Sequence, residues 1–158
     1  MSFDLFVQCF GETERSGLST SDVRALFPIY EEEPRSNSWL IRAWHSLFPL
    51  KGKAVTRDFW RVEYGPEDGC EFYVGLLERD KKRLNDFMVA RPCGDPRFWE
   101  SLYSILRMGS VVIYWPGSPL VFAAGASLEG LPEGILEGLG GPVYVESGME
   151  ILKRVQET

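Results

Sequence analysis

Apolar side chains occupy both faces of residues 3–10, and this pattern predicts a buried strand. Positions 3, 5, 7 and 9 are apolar, and the opposite face carries Phe6 and Phe10. Because a strand with two apolar faces is usually covered on both sides, we expect it to lie centrally in a sheet. Helices are then expected on at least one face of that sheet.

Residues 58–64 and 70–77 are two runs rich in aromatic and β-branched side chains. The residues between them, Gly-Pro-Glu-Asp-Gly at 65–69, have the composition of a short turn. The two runs are therefore predicted to form a β-hairpin. Further strands are predicted at residues 87–90, 111–115, 120–123 and 143–145.

Helix starts are indicated by polar residues that can cap free backbone amides. Asp95 followed by Pro96 predicts a helix that ends near Gly109, because proline fits the first turn. Ser147 and Glu150 have the spacing of a capping box at the start of a terminal helix. A short helix is predicted from Ser19 to about residue 27.

Two segments carry weaker helical patterns. Apolar residues recur at helical spacing over residues 39–47, and a short glycine-weakened helix is predicted over 132–139. The polar residues 31–37 are predicted to form a loop.

The predicted elements give an α+β fold. Residues 1–158 show no internal repeat and no linker, so we expect one globular domain. Its sheet is predicted to be mixed and mainly antiparallel, with five to seven strands and helices packed on one or both faces.

Composition and charge exclude several classes of protein. An apolar share of 44% with 13% aromatic residues excludes intrinsic disorder. The net charge of −6 argues against nucleic acid as a partner, because phosphate backbones are bound by basic surfaces. The negative charge is uneven, since residues 108–152 contain five glutamates and no lysine or arginine.

The sequence predicts a soluble cytoplasmic protein. The first residues lack the basic region of a signal peptide, and no apolar stretch is long enough to span a membrane. The three cysteines, an odd number without close spacing, suggest neither a disulfide framework nor a zinc site. The one histidine, His45, cannot anchor a metal alone, and the glycine-rich segment lacks the lysine of a phosphate-binding loop. No metal and no cofactor is predicted.

The first candidate site is an acidic face. Glu129, Glu133 and Glu137 repeat every four residues, which on a helix would align three carboxylates. Such a face would steer the protein toward a basic partner, although a solvated face kept for solubility explains the same pattern. Trp115, placed before a Pro-Gly turn, is the candidate exposed aromatic anchor of this surface.

The alternative site lies where the helix after residue 95 begins. Cys93 follows Arg91 and precedes the helix-capping Asp95. A nearby cation and a helix N-terminus both stabilise a thiolate, so this position predicts a lowered pKa for Cys93. A small-molecule pocket or a cysteine-dependent active site formed by these three residues would use that thiolate, whereas a structural thiol in the turn is the simpler interpretation.

Several segments resemble a family of short uncharacterised bacterial proteins. The resemblance is carried by the opening Ser-Phe-Asp-Leu-Phe-Val-Gln-Cys-Phe at 2–10, by residues 91–99 and 111–117, and by the closing residues 141–148. It implies a bacterial cytoplasmic protein and assigns no catalytic or binding residue. In general profile the chain is also similar to toxin-immunity proteins, which tend to be small acidic domains that block a partner by covering it.

Three functions follow as hypotheses. The first is a non-enzymatic protein that binds a basic partner through the acidic segment, as an immunity or regulatory protein. The second is the small-molecule-binding protein or cysteine-dependent enzyme described above. The third is a homo-oligomer that pairs through an exposed aromatic patch.

Overall fold

One continuous sheet contains every strand of the described residues. The computed structural model describes residues 3–11, 17–34, 55–138 and 141–158. The strands are β1 (Asp4–Cys9), β2 (Leu18–Ser19), β3 (Ile29–Pro34), β4 (Val55–Glu63), β5 (Gly69–Leu77), β6 (Asp80–Ala90), β7 (Val111–Tyr114), β8 (Leu120–Ala123) and β9 (Pro142–Val145). The helices are α1 (Thr20–Ala25), α2 (Pro96–Leu106), α3 (Ile135–Gly138) and α4 (Gly148–Gln156).

The strand order is β3-β4-β5-β6-β1-β7-β8-β9, with the short β2 paired to β6 as well. Neighbouring strands are antiparallel except β8 and β9, which are parallel. The predicted α+β class with a mixed, mainly antiparallel sheet is therefore confirmed. Nine strands within the described residues exceed the predicted five to seven.

Strand β1 lies between β6 and β7 and is buried on both faces, as its sequence predicts. Side chains on its first face, such as Leu5 and Val7, belong to a core that is covered by α1, α2 and α4. Phe6 and Phe10 point to the second face, where residues 126–136, including part of α3, pack against the sheet. The helices therefore lie on both faces.

The predicted hairpin is present as β4 and β5, which pair in unbroken register from Val55–Leu77 to Glu63–Gly69. The predicted strand at 87–90 is the end of a longer one, because β6 begins at Asp80. Its first residues are polar and exposed, and Asn85 and Asp86 are polar although buried, so the hydrophobic pattern marks only the end of the strand.

The predicted loop at 31–37 is wrong for its first residues, because Ile29–Pro34 forms β3. Its backbone pairs with β4, where Glu32 lies opposite Trp60 and Glu33 opposite Phe59. Pairing with a well-formed strand overrides the low strand propensity of glutamate, and charged residues are common on outer strands. The rest of that loop and the helix predicted at 39–47 lie outside the described residues.

The helix starts follow the capping signals in the sequence. Ser19 accepts a hydrogen bond from the backbone N–H of Asp22 at 3.4 Å, and Asp95 accepts one from Arg97 at 2.8 Å. The helix predicted at 132–139 shrinks to Ile135–Gly138, because Gly134 has a φ of +81°, outside the helical region. In the described part of the chain, no helix has the length and apolar character needed to cross a bilayer.

Candidate functional site

The acidic segment lies on the surface. All five of its glutamates are exposed: Glu129, Glu133, Glu137, Glu146 and Glu150. They follow β8 and continue past β9 into α4, so they flank the strand at this end of the described sheet.

The predicted helical row of three carboxylates is wrong. Of the three residues, only Glu137 lies in α3, whereas Glu129 and Glu133 lie in turns before it. Gly130 and Gly134 have positive φ angles of +85° and +81°, which interrupt any helix through these positions. The spacing of four therefore does not place the carboxylates on one helix face.

Cations from other segments lie closer to the acidic residues than the sequence suggests. Glu129 lines a cavity of about 780 Å³ together with Arg83 of β6. Lys153 and Arg154 of α4 line a second depression with Glu146 and Glu150. Folding brings Arg83 from a distant strand to the same cavity as Glu129, whereas Lys153 and Arg154 directly follow the segment in the sequence.

The second depression, which we call the β9–α4 groove, has a volume of about 410 Å³. Tyr144 lines it with 44% of its surface exposed, and its ring packs at a tilt against Phe122 with 6.1 Å between centroids. The full lining is Ala124, Tyr144, Glu146, Glu150, Lys153, Arg154 and Glu157. An accessible aromatic ring therefore lies among three carboxylates and two cations.

Hydrogen bonds fix part of the groove. Ser147 accepts a bond from the backbone N–H of Glu150 at 3.2 Å, and the Glu150 carboxylate accepts one from the N–H of Glu146 at 2.7 Å. This is the reciprocal arrangement of a capping box, shifted by one residue. The Glu146 side chain starts from this fixed backbone and stays exposed.

Trp115 does not have the partial exposure expected of a partner-binding anchor. Only 5% of its surface is accessible, and its indole N–H donates to the hydroxyl of Thr158 at 3.3 Å. The hydroxyl of Ser118 accepts a hydrogen bond from the backbone N–H of Trp115 and closes the Pro-Gly turn. Packing of the turn against the chain's last residues buries the ring, so Tyr144 is the exposed aromatic residue in this region.

The alternative site does not form an open pocket around its thiol. Arg91 is exposed, while Cys93 is 1% exposed and belongs to the core. Asp95 caps α2 and binds the Arg97 guanidinium through both carboxylate oxygens, at 2.9 and 2.7 Å. That interaction lowers the pKa of Asp95. The three residues are neighbours in sequence but face different surroundings.

The expected lowering of the Cys93 pKa is wrong. The Cys93 Sγ lies 2.7 Å from the Sγ of Cys70, and this contact together with burial raises the pKa of Cys93. The carboxylates of Asp68 and Asp95 act in the same direction. Arg91, whose cation was expected to stabilise the thiolate, is not among the groups that shift this pKa.

A buried polar row was missed by the sequence analysis. Arg57 on β4, Gly75 on β5, Asp86 on β6 and Gln8 on β1 lie opposite one another in register. Arg57 and Asp86 form an ion pair with side chains 4% and 5% exposed, and Tyr114 donates to the Gln8 side chain at 3.3 Å. The available signal was Gln8, a polar residue within the apolar run 5–10, whereas Arg57 and Asp86 each lie beside other polar residues in the sequence.

Metal-binding geometry does not arise in the described part of the chain, where no three His, Cys, Asp or Glu side chains converge. His45, and the tryptophans at 39 and 44, lie outside that part.

Comparison with known proteins finds a partial similarity to a curated protein. A segment covering 49% of the chain is 35% identical, over 80 residues, to a release factor glutamine methyltransferase of Dictyoglomus turgidum. The match spans 27% of that protein, so the chain covers about a quarter of its length. No family profile and no solved structure matches the chain.

Proposed function

We propose that this chain is a non-enzymatic protein-binding domain that engages a basic protein through its acidic surface. We define the acidic surface as the exposed glutamates Glu129, Glu133, Glu137, Glu146 and Glu150 together with the β9–α4 groove. The observation that carries the proposal is the exposure of all five glutamates, two of which, Glu146 and Glu150, line the groove with the half-exposed Tyr144.

The chemistry of the groove suits a basic side chain of a partner. An arginine or lysine placed over the Tyr144 ring gains a cation–π contact, and the Glu146 carboxylate is available to pair with its charge. The remaining glutamates raise the association rate by attracting a positive surface before contact. Binding of this kind needs no cofactor and no metal.

A domain that acts by covering a partner fits an immunity or regulatory role in the bacterial cytoplasm. The cysteine-dependent alternative loses its main support, because the Cys93 thiol is buried and its pKa is raised. The partial similarity to a methyltransferase supports no separate proposal, since it spans about a quarter of that protein.

The test begins with capture of proteins from a lysate of the source organism at low and at moderate salt. We expect one basic protein to be retained in stoichiometric amount and to be released as salt screens the charges. The purified partner is then bound to the wild type and to two variants, Glu133→Lys with Glu137→Lys, and Tyr144→Ala with Glu146→Lys. Both variants should slow association, and the second should also speed dissociation.

A control variant separates the acidic surface from net charge. Glu63→Lys with Glu78→Lys changes the net charge by the same amount as Glu133→Lys with Glu137→Lys. Its two positions are exposed and lie at opposite ends of the β4–β5 hairpin. It should retain most of the wild-type association rate. Equal slowing by the control variant would assign the effect to net charge and remove the acidic surface from the proposal. Retention of no basic protein, or self-association of the chain alone, would reject the proposed function.

A further inference from the structure

Two cysteines that are 23 positions apart in the sequence meet in the core. Cys70 is the second residue of β5, and Cys93 lies in the segment between β6 and α2. Their Sγ atoms are 2.7 Å apart, and the two residues are 3% and 1% exposed. Both are free thiols in this structure.

The backbone around the pair holds the sulfurs together. The Asp68 carboxylate accepts hydrogen bonds from the N–H groups of Gly94 and Asp95, at 2.9 and 3.1 Å. It thereby ties the segment containing Cys93 to the turn that leads into Cys70. The register of β5 and β6 also brings the two cysteines near each other, because Ala90 at the end of β6 pairs with Glu71, the residue after Cys70.

We propose that Cys70 and Cys93 form an oxidisable pair that closes into an intramolecular disulfide. The sulfurs need only a sub-ångström approach to reach covalent distance, which is about 2.05 Å. This inference is independent of the proposed binding function, because the pair lies in the core beside α2 and not on the acidic surface.

Hydrogen peroxide is an oxidant that balances the reaction. One thiol loses its proton to solvent, and the thiolate attacks a peroxide oxygen to give a sulfenic acid, with hydroxide leaving and taking up a proton to form water. The second cysteine attacks that sulfur as a thiolate, forming the S–S bond and expelling the sulfenic oxygen as water. In sum, two thiols and one peroxide give one disulfide and two waters.

Burial makes the pair slow to react but selective. Both sulfurs are buried and the raised pKa of Cys93 keeps its thiol protonated, so oxidation requires local opening of the Asp68 contacts. After opening, the nearest group that can resolve a sulfenic acid is the other cysteine of the pair. The third cysteine, Cys9, is on β1, where its thiol donates to the carbonyl of Leu84 at 3.8 Å.

The disulfide would link the start of β5 covalently to the segment before α2. The disulfide closes a loop from residue 70 to residue 93, which restricts the unfolded chain. We expect the oxidised protein to melt roughly 5–10 °C above the reduced protein. The same bond makes local opening of the β4–β5 turn rarer.

The experiment treats the reduced, full-length protein with hydrogen peroxide, alkylates remaining thiols under denaturing conditions, and maps peptides without reductant. We expect a linked peptide pair containing Cys70 and Cys93, one alkylated cysteine at position 9, and full reversal by dithiothreitol. Cys9→Ser should give the same linked pair and the same rise in melting temperature. Cys93→Ser and Cys70→Ser should give no intramolecular link.

Three outcomes would overturn the inference. These are sulfinic acid as the main product at either cysteine, a disulfide that includes Cys9, and peptides that remain unlinked after both thiols have reacted. If the serine variants at 70 or 93 do not fold, the wild type and Cys9→Ser still decide the question, because the linked peptide is read directly from them.

Discussion

The guanidinium of Arg57 and the carboxylate of Asp86 form a buried ion pair across a strand to which neither belongs. Arg57 is on β4 and Asp86 is on β6, and the residue between them on β5 is Gly75. A Cβ at position 75 would lie 2.5 Å from Nη1 of Arg57 and 2.7 Å from Oδ1 of Asp86. Glycine at position 75 therefore leaves the space in which the two charges meet, and a Cβ there would force both side chains to shift.

Replacing Asp86 by asparagine should destabilise the protein by roughly 3–5 kcal/mol, because it removes the carboxylate that compensates a buried guanidinium. Asparagine keeps the shape of the side chain, so the loss reports charge compensation more than packing. The free energy of unfolding in urea measures the effect.

Asp80→Asn is the matched control for that substitution. Asp80 begins the same strand but is exposed, and its side chain only accepts a bond from the Lys82 N–H at 3.1 Å. We expect a change within about 0.5 kcal/mol. Similar losses of unfolding free energy in both variants would mean that the buried ion pair of Asp86 stabilises the protein no more than the exposed side chain of Asp80 does.

Gly148→Ala should destabilise the contact between α4 and α2. Gly148 is buried at the first turn of α4, and a Cβ there would overlap the backbone carbonyl of Trp99. Because backbone atoms cannot move aside as a flexible side chain can, we expect a cost of roughly 1–3 kcal/mol. Thermal unfolding measures it. Gly109→Ala, where a Cβ meets nothing within 4 Å, should be close to neutral, and an equal cost there would contradict the prediction.

Tyr64 should make stability fall in alkaline solution. Burial raises the pKa of Tyr64 from 10.0 to about 12, although the nearby Ser101 side chain acts in the opposite direction. The folded protein then keeps a proton that the unfolded chain releases, so the free energy of unfolding declines as pH rises from about 10 to about 12. Below a pH of about 10, Tyr64 makes its full contribution to the free energy of unfolding.

Tyr64→Phe tests that alkaline effect. Tyr114 also has a raised pKa because it is buried, but it is present in both proteins and cancels in the comparison. The unfolding free energy of the wild type, measured relative to that of the variant, should therefore fall across the same pH range. A difference that stays constant with pH would show that Tyr64 titrates alike in the folded and unfolded states.

Much of the secondary structure could be predicted from local signals. The β4–β5 hairpin is predictable from its turn residues, and α2 is predictable from its N-cap. Both signals depend only on residues a few positions apart in the sequence. β3 was missed because its pairing with β4 is a nonlocal contact that a run of glutamates does not reveal. The strand order, with β1 between β6 and β7, depends on such contacts throughout.

The candidate site was harder to predict, because it depends on which segments meet. The exposure of Glu133 and Glu146 follows from their charge, but the arrangement of the acidic surface does not. Glycine conformations at 130 and 134 broke the expected helical row, and the chain's end buried Trp115. The contact between Cys70 and Cys93 joins two elements whose adjacency no local spacing encodes.

The central position of β1 has a consequence for synthesis of the chain. Its partners on β6 and β7 follow it by many residues, so during translation this strand, apolar on both sides, must remain unpaired while the hairpin forms. Nonlocal pairing of this kind slows folding, and an exposed apolar strand is prone to aggregate. A nascent chain that stalls before β7 therefore leaves at least one edge of the apolar strand β1 unpaired. Such a strand is a segment that chaperones on the ribosome bind.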